Sequence, residues 1–165
     1  SEILRSKWIT IEFDSNITTI AFFAIFDTVK QWEFSTLILA FVAQSAQLNE
    51  LVINIFPWTP REQITEKMAN DVIEWFHRQP VRIFQLSNWN LADLGAALKQ
   101  LFYQVVFTCP TLEELSISNT KLDAVDFSQM TLSMKYLTLT KCSLDPTFEE
   151  FLKNQGIPHL HVFPL

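Results

Sequence analysis

With 165 residues, 48% of them hydrophobic, the chain can bury one sizeable core, which excludes a disordered tail. Its net charge of −6 argues against a dedicated binder of nucleic acid or anionic membrane, since both rely on clustered Lys and Arg. The longest apolar run, Ile20 to Phe26, falls short of the roughly 20 residues that cross a bilayer, so the chain is read as soluble, and two cysteines not expected to pair favour a reducing, intracellular and cytoplasmic setting. Only two glycines are present, which disfavours hairpin-rich folds and removes phosphate-cradling glycine loops.

In chain order, "KWITIEF" at 7–13 alternates like a strand, with Ile9, Ile11 and Phe13 on one face. A helix is expected somewhere in Ile17 to Trp32, and another over Leu37 to Ala46. Leu48, Leu51 and Ile53 then set a spacing, apolar-x-x-apolar-x-apolar, that suits a strand pointing two residues inward. "TPREQITEKMANDVIEWFHRQ" reads as a helix with Thr59 as cap, Pro60 in the first turn and Glu62 closing a capping box; Ile64, Met68, Val72 and Phe76 line one face.

The spacing returns at Val81, Phe84 and Leu86. A helix follows, marked by Leu94, Ala97, Leu98, Leu101, Phe102 and Val105. It returns at Leu112, Leu115 and Ile117, after which "DAVDFSQMTLS" is too short for a full helix and is predicted as a loop or 3₁₀ turn. Met134, Leu137 and Leu139 carry it again, then "DPTFEEFLKN" predicts a helix capped by Asp145 with Phe148, Phe151 and Leu152 inward. Ile157, Leu160 and Val162 form the last copy. The five copies start at 48, 81, 112, 134 and 157, that is 33, 31, 22 and 23 residues apart.

Met134 to Leu144, with Cys142 and Leu144 following the strand triplet, resembles the leucine-rich repeat frame L-x-x-L-x-L-x-x-N/C-x-L. "CPTLEELSISNTKL" from Cys109 is similar to the long intracellular type of ribonuclease-inhibitor-like proteins and F-box substrate adaptors. The resemblance covers about residues 35–165 and implies an α/β leucine-rich-repeat solenoid of about 5–6 irregular repeats, a one-layer parallel sheet with helices on the convex side. Residues 1–165 are then a single leucine-rich-repeat-like domain, with 1–34 as a divergent first repeat, and a fragment of a longer array. The chain departs from the family at its Asn/Cys position, where Phe56, Trp89 and Thr120 stand in other copies. In that frame Cys142 is a small buried filler of the turn, and a disulfide to Cys109 is not expected because the two lie at opposite ends of neighbouring strands.

Residues alternating with the inward ones would line the open face of the sheet: Glu50, Val52, Asn54; Ile83, Gln85, Ser87; Glu114, Ser116, Ser118; Tyr136, Thr138, Thr140; and His159, His161, Phe163. Glu114, Ser116, Tyr136, Thr138, Thr140, His159, His161 and Phe163 are the partner-binding candidates, with Tyr136, His159 and Phe163 as anchors. His159 and His161 share a face, a ligand-compatible arrangement, but no third or fourth ligand is placed beside them, and they read as surface residues. No catalytic, cofactor or metal residue is assigned.

The leading expectation is a non-enzymatic protein-interaction module. The alternatives are the substrate-recognition part of a ubiquitin-ligase adaptor, and a compact α/β enzyme or effector in which the repeat is coincidence. Because "HLHVFPL" ends on an apolar strand, further repeats or self-association are expected at that end.

Overall fold

The computed structural model describes residues 2–5, 10–13, 16–24, 28–55, 64–89, 91 and 94–164. Two strands, β1 (Glu2–Arg5) and β2 (Thr10–Phe13), pair antiparallel in a small sheet of their own. A six-stranded parallel sheet follows, built from β3 (Thr19–Ala24), β4 (Glu50–Ile55), β5 (Ile83–Ser87), β6 (Glu114–Ser118), β7 (Tyr136–Thr140) and β8 (His159–Phe163) in chain order. The helices between them are α1 (Thr28–Gln44), α2 (Glu66–Arg78), α3 (Ala96–Phe107) and α4 (Pro146–Lys153). No helix among the described residues is long and apolar enough to cross a membrane.

Register explains why the repeated spacing works. Leu51, Phe84, Leu115, Leu137 and Leu160 stand side by side across the sheet, as do Ile53, Leu86, Ile117, Leu139 and Val162. Along β5 and β6 buried residues alternate with half-exposed ones, so one face is covered and the other open. The covered residues join buried side chains of all four helices in one core. Trp75 Nε1 donates to the Leu48 carbonyl at 2.8 Å, satisfying the buried indole, while its ring meets Phe84 edge to face.

Backbone bonds repeat with the same regularity. The N–H groups of Asn49 and Glu50 both donate to the Thr18 carbonyl, those of Arg82 and Ile83 to Asn49, those of Glu113 and Glu114 to Arg82, and those of Lys135 and Tyr136 to Glu113. At the other end of the strands, Asn88, Asn119 and Lys141 take positive φ, and their N–H groups donate to the last carbonyl of the next strand, at Ser118, Thr140 and Phe163. Asn accepts this left-handed turn more readily than most residues, which lets the chain make it without glycine.

Several expectations are corrected. The first strand of the parallel sheet is β3, not "KWITIEF", whose residues 10–13 form β2 of the separate sheet. Within 17–32, where a helix was expected, Thr19–Ala24 is strand and the helix begins only at Thr28. The Ile17, Ile20, Phe22 triplet has the repeat's own spacing, and the register sets Ile20 against Leu51 and Phe22 against Ile53. The helix expected over 37–46 begins at Thr28 and ends at Gln44.

The α2 helix starts at Glu66, with Thr65 Oγ1 accepting from the Met68 N–H at 3.2 Å. Ile64 and Thr65 are not helical, and the Thr59 to Glu62 capping box lies outside the described residues. On α3 the buried residues are Phe102, Tyr103, Val106 and Phe107, whereas Leu101 is exposed, because the helix turns a more aromatic stripe inward than the aliphatic spacing indicates. Asp145 caps α4 through the Thr147 N–H at 2.9 Å, as the sequence predicts, and Phe148 and Leu152 are buried while Phe151 is half-buried. Between β6 and β7 the chain makes turns only, and Phe127, Met130 and Leu132 fill the volume a helix would occupy.

Leu137 is fully buried beside Leu115 and Leu160, so Leu137→Ala should destabilise the chain by about 2–5 kcal/mol, whereas its exposed neighbour Tyr136→Ala should cost far less. Chemical denaturation of the two variants measures the contrast.

Candidate functional site

The open face of the sheet gathers every site residue that the spacing selects, in three rows that cross the strands. The first runs Thr19, Glu50, Ile83, Glu114, Tyr136, His159; the second Ala21, Val52, Gln85, Ser116, Thr138, His161; the third includes Asn54, Ser87, Ser118, Thr140, Phe163. All eight candidates therefore lie on one surface, with Glu114, Ser116, Thr138 and Thr140 half-exposed in its middle and Tyr136, His159, His161 and Phe163 exposed at its β8 side.

The aromatic corner is preorganised. The Tyr136 and His159 rings stack at 4.5 Å with 7° between their planes, and the His161 and Phe163 rings lie parallel at 6.3 Å. Stacking across the β7–β8 pair fixes two side chains that would otherwise rotate freely, and Tyr136 and Phe163 remain 47% and 53% exposed. Among the described residues no three His, Cys, Asp or Glu side chains group together.

Towards β4 the face changes character. Ser87 and Ser118 share a hydroxyl hydrogen bond at 2.8 Å, one row over from the Ser116 and Thr138 pair that the register also sets side by side. Around it Val52, Asn54, Gln85, Ser116 and Ser118 line a shallow depression in which the Asn54 Oδ1 is buried without a partner. At the strand starts Arg82 bridges Glu50 at 3.5 Å and Glu113 at 3.2 Å, and Thr19 Oγ1 donates to Glu50. These partners are solvated, so the pairs orient the rim more than they stabilise it, at about 0–1 kcal/mol each. The spacing, which marks only the strands' own alternation, does not select Arg82, one residue before β5, and Thr19 was missed together with β3; the opposite charges of Glu50, Arg82 and Glu113 around neighbouring strand starts are the signal that finds Arg82.

The thiols stand apart from this face. Cys109 and Cys142 are free and buried. Cys142 Sγ donates to the Ile117 carbonyl at 3.4 Å and contacts the Thr140 carbonyl at 3.6 Å. Thr120 occupies the same place one repeat earlier: its hydroxyl donates to Ser118 at 2.8 Å and accepts from the Trp89 N–H at 3.3 Å. A hydroxyl and a thiol thus substitute for each other at this turn, whereas the buried indole of Trp89, at the equivalent place one repeat earlier, has no hydrogen-bond partner, and Phe56 lies outside the described residues. Burial pushes the Cys142 thiol up, outweighing backbone contacts that lower it, and burial likewise raises the nearby Tyr103 phenol.

Because the folded thiol's pKa is raised, its contribution to stability is present below the unfolded thiol's titration, near about 8.5, and is lost as pH rises through the higher folded value. At pH 8 the native chain should react with a thiol reagent far more slowly than the urea-unfolded chain, and thiol release followed against time reads this directly.

Set against known proteins, the chain finds no counterpart: no family model, no curated protein and no solved structure matches it.

Proposed function

We propose that the chain is a non-enzymatic protein-interaction module, an irregular leucine-rich-repeat-like solenoid that binds a protein partner inside the cell through the open face of its parallel sheet. The observation that carries this reading is one-sided burial. Inward residues of β4 to β7 are fully or nearly fully buried, while the alternating residues of the same strands stay half-exposed or exposed. A compact α/β enzyme would cover both faces of such a sheet. A flat surface of short hydroxyls with a fixed aromatic corner suits a protein partner, because aromatic anchors supply contact area at little entropy cost and the hydroxyls tolerate a wet interface.

In that role Tyr136 and Phe163 are anchors, His159 holds the Tyr136 ring, and His161, Thr138, Thr140, Ser116 and Glu114 form the surrounding contacts. Substrate recognition within a ubiquitin-ligase adaptor is one biological setting such a module fits, and no residue here favours it over others.

A Tyr136→Ala/Phe163→Ala double variant should weaken capture of partners from the source cell by about tenfold or more, while Leu101→Ser, on the exposed side of α3, should leave capture unchanged. Retention of every partner by the double variant would sink the open-face reading.

A further inference from the structure

β8 is the edge of the parallel sheet, and its backbone shows which partner strand can extend it. His159 N–H donates to Lys135 and Phe163 C=O accepts from Lys141, so residues 159, 161 and 163 turn their backbone groups toward β7. Leu160 and Val162 therefore point their N–H and C=O groups away from the sheet, unpaired by any strand among the described residues. Their side chains are also only half-buried, although the same two positions in β4 to β7 are at most 2% exposed.

A further coil stacked as the earlier ones are does not fit it well. Where the residue just after the strand is described, at Asn88, Asn119 and Lys141, its N–H ties that coil to the next. On β8 that residue is Pro164, which has no N–H to give. Pro158, before the strand, has no N–H either, but the equivalent N–H groups of Arg82, Glu113 and Lys135 turn back to the preceding strand, so its loss falls on the β7 side, and Leu160 and Val162 carry the outward N–H groups of β8. Neither Lys, Arg, Asp nor Glu interrupts His159–Phe163, so the strand also lacks the charges that commonly guard an edge.

We propose that β8 pairs antiparallel with β8 of a second copy of this chain, about a two-fold axis through His161. In this register Leu160 exchanges both backbone hydrogen bonds with the partner's Val162, and Val162 with the partner's Leu160, giving four bonds that use every edge-facing N–H and C=O of the two residues. The proline positions 158 and 164 fall opposite each other, where no donor is required. Inward Leu160 meets inward Val162 across the axis and closes the half-open end of the core. On the open face His159 comes opposite Phe163 of the second copy, which makes the aromatic corners of the two copies continuous. The two His161 side chains meet in a narrow pair, with Cα atoms about 4.5 Å apart. This pairing is independent of the open-face reading, since a dimer forms or fails whether or not another protein binds.

Sedimentation velocity on the full chain up to about 0.5 mM, which reads dissociation constants tighter than roughly 1 mM, should show a monomer–dimer equilibrium. Val162→Pro removes an edge-facing N–H without touching the bonds to β7, and should weaken the dimer tenfold or more while circular dichroism stays unchanged. Mild oxidation of His161→Cys should give a disulfide-linked dimer, because its separation lies within disulfide reach. His159→Cys should not, because its two copies stand about 13 Å apart along the strands. A wild-type chain monomeric throughout, or a folded Val162→Pro variant that dimerises equally well, would overturn the proposal. Cross-linking at 159 but not 161 would overturn its register.

Discussion

Strands of the parallel sheet enter it through one repeated arrangement, in which a carbonyl just before one strand accepts the N–H groups of two successive residues at the start of the next. This bond sets the register, and with a side-chain period of two the register decides which residues face the core. A slip of one residue would turn Leu115, Leu137 and their neighbours to solvent and bring Ser116 and Thr138 inside. The aliphatic rows, the open polar face and the positions of the aromatic rings all follow from keeping that entry point constant while the intervening segments vary from a 17-residue helix to a run of turns.

Where the intervening segment is short, side chains replace secondary structure. After β6 the chain makes no helix, yet the space is closed by Phe127, whose ring stacks on Phe148 of α4 at 3.8 Å and meets Phe107 of α3 edge to face. Aromatic residues carry much of this work because one ring fills the volume of several aliphatic carbons with only two rotatable bonds. Among the described side chains most phenylalanines thus belong to the core, and the exposed rings of Tyr136 and Phe163 stand out against them.

The turns after the strands show how side-chain chemistry can change while geometry persists. Thr120 and Cys142 each reach back to the carbonyl two residues earlier, and Asn88, Asn119 and Lys141 each supply the left-handed residue. Lys141 takes this conformation with neither the freedom of glycine nor the local hydrogen bonding of asparagine, so the surrounding bonds to Phe163 must hold it there. The same reliance on backbone bonding makes β8 distinctive, because prolines stand at both its ends, where Arg82, Glu113 and Lys135 before their strands and Asn88, Asn119 and Lys141 after theirs donate N–H groups.

Local spacing was enough to determine five of the six parallel strands, the α4 cap at Asp145, the loop after β6 and the sharing of one face by all eight candidate residues, because each depends on a short-range period or a capping pattern. The same spacing was present in Ile17, Ile20 and Phe22, but apolar residues continue through Phe26 and hide alternation, so strand and helix could not be told apart there. Tertiary structure alone decided that β1 and β2 form a separate antiparallel pair, that α3 buries Tyr103 and Phe107 and leaves Leu101 outside, and that Tyr136 stacks on His159. Each of these depends on which residues distant in the chain become neighbours, and that is settled by packing the whole core at once rather than by any local period.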